Sequence, residues 1–111
     1  MDLNFKNKTA IVTGGSCGIG AAISTLLAES GANVMIDYLP IEKDIEGLKQ
    51  VERRIHDQGG IVESFAADVT SPESMEELCS QTLERFGGLD ILINSAGITF
   101  PAGIEELSPE M

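Results

Sequence analysis

Residues 13–20 read TGGSCGIG, between the apolar run Ala10-Ile11-Val12 and the segment AAISTLL. A strand running into a glycine-rich turn that opens a helix gathers backbone N–H groups and the positive end of a helix dipole at one point. A phosphate can bind there without a basic side chain. In such a loop Gly14 permits the sharp turn, Gly18 the close approach of a pyrophosphate, and Gly20 the packing of the helix on its strand. The spacing is Gly-x-x-x-Gly-x-Gly after Thr13, which differs from the Gly-x-Gly-x-x-Gly dinucleotide fingerprint. Glycines also mark plain turns, so it is the strand-loop-helix context that points to a nucleotide. A second chemical group is Asp37 in VMIDYLP, at the end of the next apolar run. An acid in that position hydrogen-bonds a ribose 2′-OH and repels a 2′-phosphate.

Other reactive residue types have plainer readings. Cys17 sits at a helix N-terminus, where a thiol can be redox-sensitive, but it reads first as a small residue in a tight loop. His56 in RRIHDQGG lies near the end of a charged helix without a second titratable group at relay spacing, and reads as a solvated helix-end histidine. The stretch EKDIEGLKQVERR is an exposed face of paired charges, and no metal-ligand set stands out from it.

These residues must be held by elements, and the chain alternates short apolar runs with helix-period segments. That pattern predicts an α/β fold with a parallel sheet. Strands are expected at 9–13, 33–37, 61–66 and 89–94. In the first helix Ile19, Ala22, Ile23, Leu26 and Leu27 form the expected buried face, and Gly31 supplies the stop. In the second, Ile45, Leu48, Val51 and Ile55 form a narrow stripe ended by Gly59-Gly60. The third opens on Ser71-Pro72-Glu73, a cap followed by proline at the first helical position. Met75, Leu78, Thr82, Leu83 and Phe86 are its expected buried face, and Gly87-Gly88 its end. LDILIN at 89–94 is apolar on both faces, as befits a covered strand. Right-handed crossovers then give a Rossmann-like, doubly wound sheet in the order 3-2-1-4, with helices on both faces. In that order the last strand is an uncovered edge. Ser108-Pro109-Glu110 announces a further helix, so the expectation is one partial domain over residues 1–111, truncated after the fourth strand.

Composition narrows the partners. Eighteen acidic against seven basic residues give a net charge of −11, which repels nucleic-acid backbones and anionic lipid. The N-terminus has no secretory pattern and no run reaches the length of a membrane span, so a cytoplasmic location is expected. A structural disulfide between Cys17 and Cys79 is not expected in that compartment.

TGGSCGIG resembles the Thr-Gly-x-x-x-Gly-x-Gly loop of the short-chain dehydrogenases/reductases, and three further stretches fall at that family's intervals. Asp68-Val69, in AADVT, resembles its Asp-Val pair. Asn94-Ser95-Ala96-Gly97 resembles its Asn-Asn-Ala-Gly, within GGLDILINSAG. The resemblance implies that Gly14, Ser16, Gly18, Ile19 and Gly20 line the pyrophosphate and adenosine side. It implies that Asp68 and Val69 hold the adenine, where the plain reading of Asp68 is a solvated acid ahead of a helix. Asn94, Ala96 and Gly97 would support the sheet centre and the nicotinamide-side ribose, and Ser95 departs from the second Asn. The cofactor is NAD or NADP. Asp37, and Cys17 where NADP-preferring relatives often carry Arg or Lys, favour NAD. Against this, many NAD-preferring relatives place the acid one residue later, at Tyr38, IDYLP resembles NADP-using members with Asn-Tyr, and Lys43 is a nearby base.

Hydride transfer to a carbonyl also needs a general acid. In the resembled family this is the Tyr of a downstream Tyr-x-x-x-Lys pair, whereas Tyr38 is the only tyrosine here and belongs to the adenosine half. The expectation is therefore the cofactor half of an NAD(P)-dependent oxidoreductase acting on an alcohol or carbonyl, with no turnover from this chain alone. The alternatives are a non-catalytic dinucleotide-binding module and a truncated, partner-dependent remnant. A sugar or polyol, a steroid and a ketoacyl thioester stay open as substrates of a longer chain, and the family implies a homo-oligomer.

Overall fold

The computed structural model describes residues 4–95. The elements run β1 (Thr9–Thr13), α1 (Gly18–Glu29), β2 (Asn33–Tyr38), α2 (Glu42–Asp57), β3 (Ile61–Ala66), α3 (Pro72–Phe86) and β4 (Ile91–Asn94). The four strands form one parallel sheet in the order β3-β2-β1-β4, as expected. Successive strands step one way from β1 to β3 and then back across β1 to β4. Right-handed crossovers therefore put α1 and α2 on one face and α3 on the other.

Strand alternation feeds both layers. Ala10 and Val12 of β1 and Val34 and Ile36 of β2 face a core closed by Leu27 and Ala28 of α1 and by Leu48, Val51 and Ile55 of α2. Ile11 and Met35 face the other way, against Leu78, with Met75, Cys79 and Phe86 of α3 packed around them. Buried on both faces, β1 and β2 can be almost wholly apolar.

The helix ends follow the sequence signals. Ser71 Oγ accepts a hydrogen bond from Ser74 N at 3.2 Å, Pro72 begins α3, and Gly87 ends it with φ 80°. Helix α2 has Glu42 and Asp44 in its first turn and Arg54 and His56 in its last, each sign matched to the helix dipole.

Four expectations are corrected. The buried face of α1 is Gly20, Ser24, Leu27 and Ala28, while Ile19, Ala22 and Leu26 are exposed among the described residues. Small residues one turn apart let this helix lie close to the glycine loop, and their low hydrophobicity hid them from an apolar count. Leu83 of α3 is 51% exposed, because Thr82 takes the inward position and returns its hydroxyl to Leu78 O at 2.8 Å. Strand β2 runs one residue further, to Tyr38, paired with Ala66. Strand β4 begins at Ile91, because Leu89 packs into the α3-side core and Asp90 Oδ2 accepts from Thr9 N at 2.9 Å. In the described sheet β4 is an edge, and Leu92 is 56% exposed. The Ser-Pro-Glu at 108–110 lies outside the described residues.

Candidate functional site

The β1–α1 loop reverses direction at Gly14, with φ 65°, and enters the helix at Gly18, with φ 53°. Both values suit glycine. Gly15 N donates to Asp37 O at 3.2 Å, which ties the loop to the end of β2. Cys17 is the N-cap of α1 but makes no side-chain cap bond, and the first turn of α1 holds no acid. The N-termini of α2 and α3 both carry acids. Helix α1 thus presents its dipole to the loop without an internal counter-charge.

Close packing around the loop depends on missing Cβ atoms. A Cβ on Gly20 would strike the Gly14 carbonyl and approach Ser95 Oγ at 2.8 Å. On α2, a Cβ on Gly47 would strike the Ser16 carbonyl and come within 3.0 Å of Cys17 Sγ. Gly20 therefore seats α1 on its own loop and on the end of β4, and Gly47 lets α2 press on the loop from the side. The sequence reading missed Gly47, although a glycine inside an otherwise regular helix commonly signals such a contact.

Beneath the loop, β1 and β4 are clasped together. Thr13 Oγ1 donates towards Ile93 O at 3.2 Å and Asn94 Oδ1 at 3.1 Å, and accepts from Ser95 N at 3.2 Å. Ser95 Oγ donates in turn to Thr13 O. The residue that departs from the family pattern is thus built into the floor through its hydroxyl.

The far wall is acidic. Asp37 is 2% exposed and its Oδ1 accepts from Ala67 N at 2.9 Å, so it holds the turn after β3. Burial is the main influence on its carboxyl and raises the pKa to about 6, with the Ala67 hydrogen bond opposing and the charges of Asp44 and Asp68 adding. Asp68 is exposed, and Thr70 donates to its Oδ1 through the hydroxyl at 2.6 Å and the backbone at 2.9 Å. Those two bonds, the hydroxyl first, lower its pKa.

These pieces surround a cleft of about 280 Å³, lined by Gly14, Ser16, Cys17, Asp37, Tyr38, Leu39, Asp44, Ala67, Val69 and Ser95. It lies at the carboxyl ends of the strands, where open α/β sheets bind ligands. Of the residues singled out from sequence, Gly14, Ser16, Asp37 and Val69 line it. Gly18 and Ile19 stand exposed at the start of α1, Gly20 is buried beneath the loop, and Asn94 sits in the floor. Asp68 lies outside the lining, with its carboxylate engaged by its own turn. Ala96 and Gly97 fall outside the described residues. Tyr38, assigned from sequence to the adenosine half, lines the cleft too, whereas Leu39, Asp44 and Ala67 were not anticipated. Leu39 and Asp44 follow β2 without a motif, and only the fold brings them to the glycine loop.

A hollow of about 340 Å³ at the opposite end of the sheet is lined in part by Gly31, Asn33, Gly60 and Ile61. It has neither the glycine loop nor a helix N-terminus. His56 is exposed near the end of α2, and both cysteines are free. Among the described residues no group of three His, Cys, Asp or Glu side chains could hold a metal ion, and no helix is long and apolar enough to cross a membrane.

A family model described as short chain dehydrogenase matches residues 8–111. The chain belongs to the short-chain dehydrogenase family. An uncharacterized oxidoreductase of Staphylococcus saprophyticus subsp. saprophyticus is 40% identical over 94% of this short-chain dehydrogenase sequence and 43% of its own. The 3-oxoacyl-[acyl-carrier-protein] reductase of Vibrio cholerae is 41% identical over 87% of this chain and 37% of its own. A crystal structure of a dehydrogenase/reductase from Sinorhizobium meliloti 1021 superposes with a TM-score of 0.81 and 43% identity, covering 95% of this chain and 40% of that one. The short-chain dehydrogenase sequence described here therefore spans about two fifths of the length of these relatives.

Proposed function

We propose that this chain is the dinucleotide-binding part of an NAD(P)-dependent oxidoreductase that interconverts an alcohol and a carbonyl, and that NAD is its preferred cofactor. One observation carries the reading: the glycine loop, the uncapped start of α1 and the acidic end of β2 converge on one cleft at the carboxyl edge of the sheet. The residues fit such a group, because the loop offers backbone N–H groups to a pyrophosphate while the cleft beside it holds an apolar wall at Val69. Gly14, Ser16, Gly18, Ile19 and Gly20 would hold the pyrophosphate side, and Asp37 would border the ribose. Val69 would meet the adenine, with Asp68 at the rim, and Asn94, Ala96 and Gly97 would carry the nicotinamide-side ribose. When bound, the cofactor accepts or delivers hydride. The chain's own residues bind and orient it.

The preference for NAD rests on charge. The lining includes Asp37 and Asp44 and neither Lys nor Arg, and a 2′-phosphate needs a base.

The test is calorimetric titration of the full-length protein with NAD, beside Gly20→Val. The unaltered protein should bind. The variant should lose affinity by at least about tenfold, because the added side chain displaces the Gly14 carbonyl that shapes the loop. A folded Gly20→Val protein with undiminished NAD affinity would refute the assignment.

A further inference from the structure

Asp44 lies in the first turn of α2, seven residues beyond Asp37, and lines the same cleft. Its two carboxylate oxygens hold different segments. Oδ2 accepts from Leu39 N at 3.1 Å, in the turn that leaves β2. Oδ1 lies 3.7 Å from the thiol of Cys17, the N-cap of α1, which donates to it. One carboxylate thus spans the gap between the glycine loop and the end of β2. Gly47, one turn further along, lets α2 approach closely enough for this.

Asp37 is placed differently. It lines the cleft as well, but it is 2% exposed and one oxygen already accepts from Ala67 N, so its carboxyl is committed to the turn after β3. Lys43 is exposed and absent from the lining. If the cleft takes an adenosine as proposed above, a ribose at the end of β2 faces a lining that holds Asp44 and no base. A hydroxyl there donates to the carboxylate. A phosphate there meets a like charge that already occupies the N–H and S–H donors the phosphate would require.

We propose that Asp44 is the residue that excludes a 2′-phosphate from the cleft and so determines the choice of NAD over NADP, while Asp37 acts as a positioning residue for the turn after β3. The inference rests on the dinucleotide reading and adds the residue that performs the selection.

The experiment measures Kd for NAD and for NADP with the full-length protein and its Asp44→Asn, Asp44→Ser, Asp37→Asn and Asp57→Asn variants. Asparagine keeps an oxygen for Leu39 N, and serine keeps a smaller acceptor should the amide disturb the turn. Asp57→Asn removes the same charge from the exposed far end of α2. The ratio Kd(NADP)/Kd(NAD) should fall by about tenfold or more in either Asp44 variant and stay at the wild-type value in Asp57→Asn. In the unaltered protein the ratio should shrink as salt rises from about 20 to about 200 mM, since it reflects repulsion between charges. A ratio that stays within about twofold of wild type in both Asp44 variants, or that moves only in Asp37→Asn, overturns the assignment. So does a wild-type ratio near one. Failure of the unaltered protein to bind either dinucleotide is a different outcome, which removes the functional reading on which this one stands.

Discussion

Burial governs the protonation of Asp37, and the consequence is a stability that depends on pH. With its pKa raised from the ordinary 3.8 to about 6, the native state holds this proton more tightly than the unfolded chain does. The stability it contributes is present below the unfolded value and is lost as pH rises through about 6. Asp37→Asn keeps an oxygen for Ala67 N and removes the titration. Relative to wild type, the variant should gain on the order of 1–3 kcal/mol between about pH 4.5 and about pH 7.5, read from urea denaturation at the two values. Parallel stabilities across that range would show that the carboxyl is solvated like any surface acid. At this scale the sequence was informative where a residue type has few uses. Gly14 and Asp37 were read from their own type and place, Ser16 and Val69 from the family resemblance, and all four line the cleft. Asp44 was not, because an acid in the first turn of a helix already has a sufficient role in the helix dipole. Ser95 read only as a departure from a pattern, and its bonds to Thr13 across the sheet depend on the β1–β4 register.

Helix α3 shows how an element positions a site it does not touch. Its N-cap fixes where the turn after β3 ends, and that turn carries Ala67, Asp68 and Val69. Ser74 contributes twice, donating N–H to Ser71 Oγ at 3.2 Å and accepting from Asp68 N through its hydroxyl at 2.8 Å. Ser71→Ala removes the cap and should cost about 1 kcal/mol of stability by chemical denaturation. A loss under about 0.3 kcal/mol would mean that Pro72 and the Ser74 hydroxyl hold the turn unaided. The cap itself was legible, because Ser-Pro-Glu has one reading at a helix start. The face of α1 was not. Periodicity counts apolar residues, whereas α1 turns its small residues inward where the loop and β4 come closest, leaving Ile19 and Leu26 exposed. The start of β4 was masked by Leu89 and Asp90. Their composition suits a strand, but one serves the core below α3 and the other secures the first residue of β1.

Across the whole molecule, a chain with a net charge of −11 can offer the proposed phosphate only backbone N–H groups and a helix dipole, since the cleft lining holds neither Lys nor Arg. It does so by stacking parallel strands, so every pairing joins segments well separated along the chain. Residues 9 and 33, which pair β1 with β2, are 24 apart, whereas residues 13 and 94, which pair β1 with β4, are 81 apart. Closing the longer loop costs roughly 1 kcal/mol more in chain entropy. Pairing between β1 and β2 is therefore expected to be the earlier event in folding, with β4 docking afterwards. Pulsed hydrogen exchange during refolding of the full-length protein should find amides of β2 such as Ile36 protected before those of β4 such as Ile93. Simultaneous protection would mean that the sheet condenses as one unit. On a ribosome the order is imposed by synthesis as well, since residues 9–38 emerge long before Ser95. The glycine loop proposed to receive the phosphate should then be held to β2 by Gly15 before the floor under it exists, so that the chain is expected to pass through a stage in which the cleft has a rim and no base.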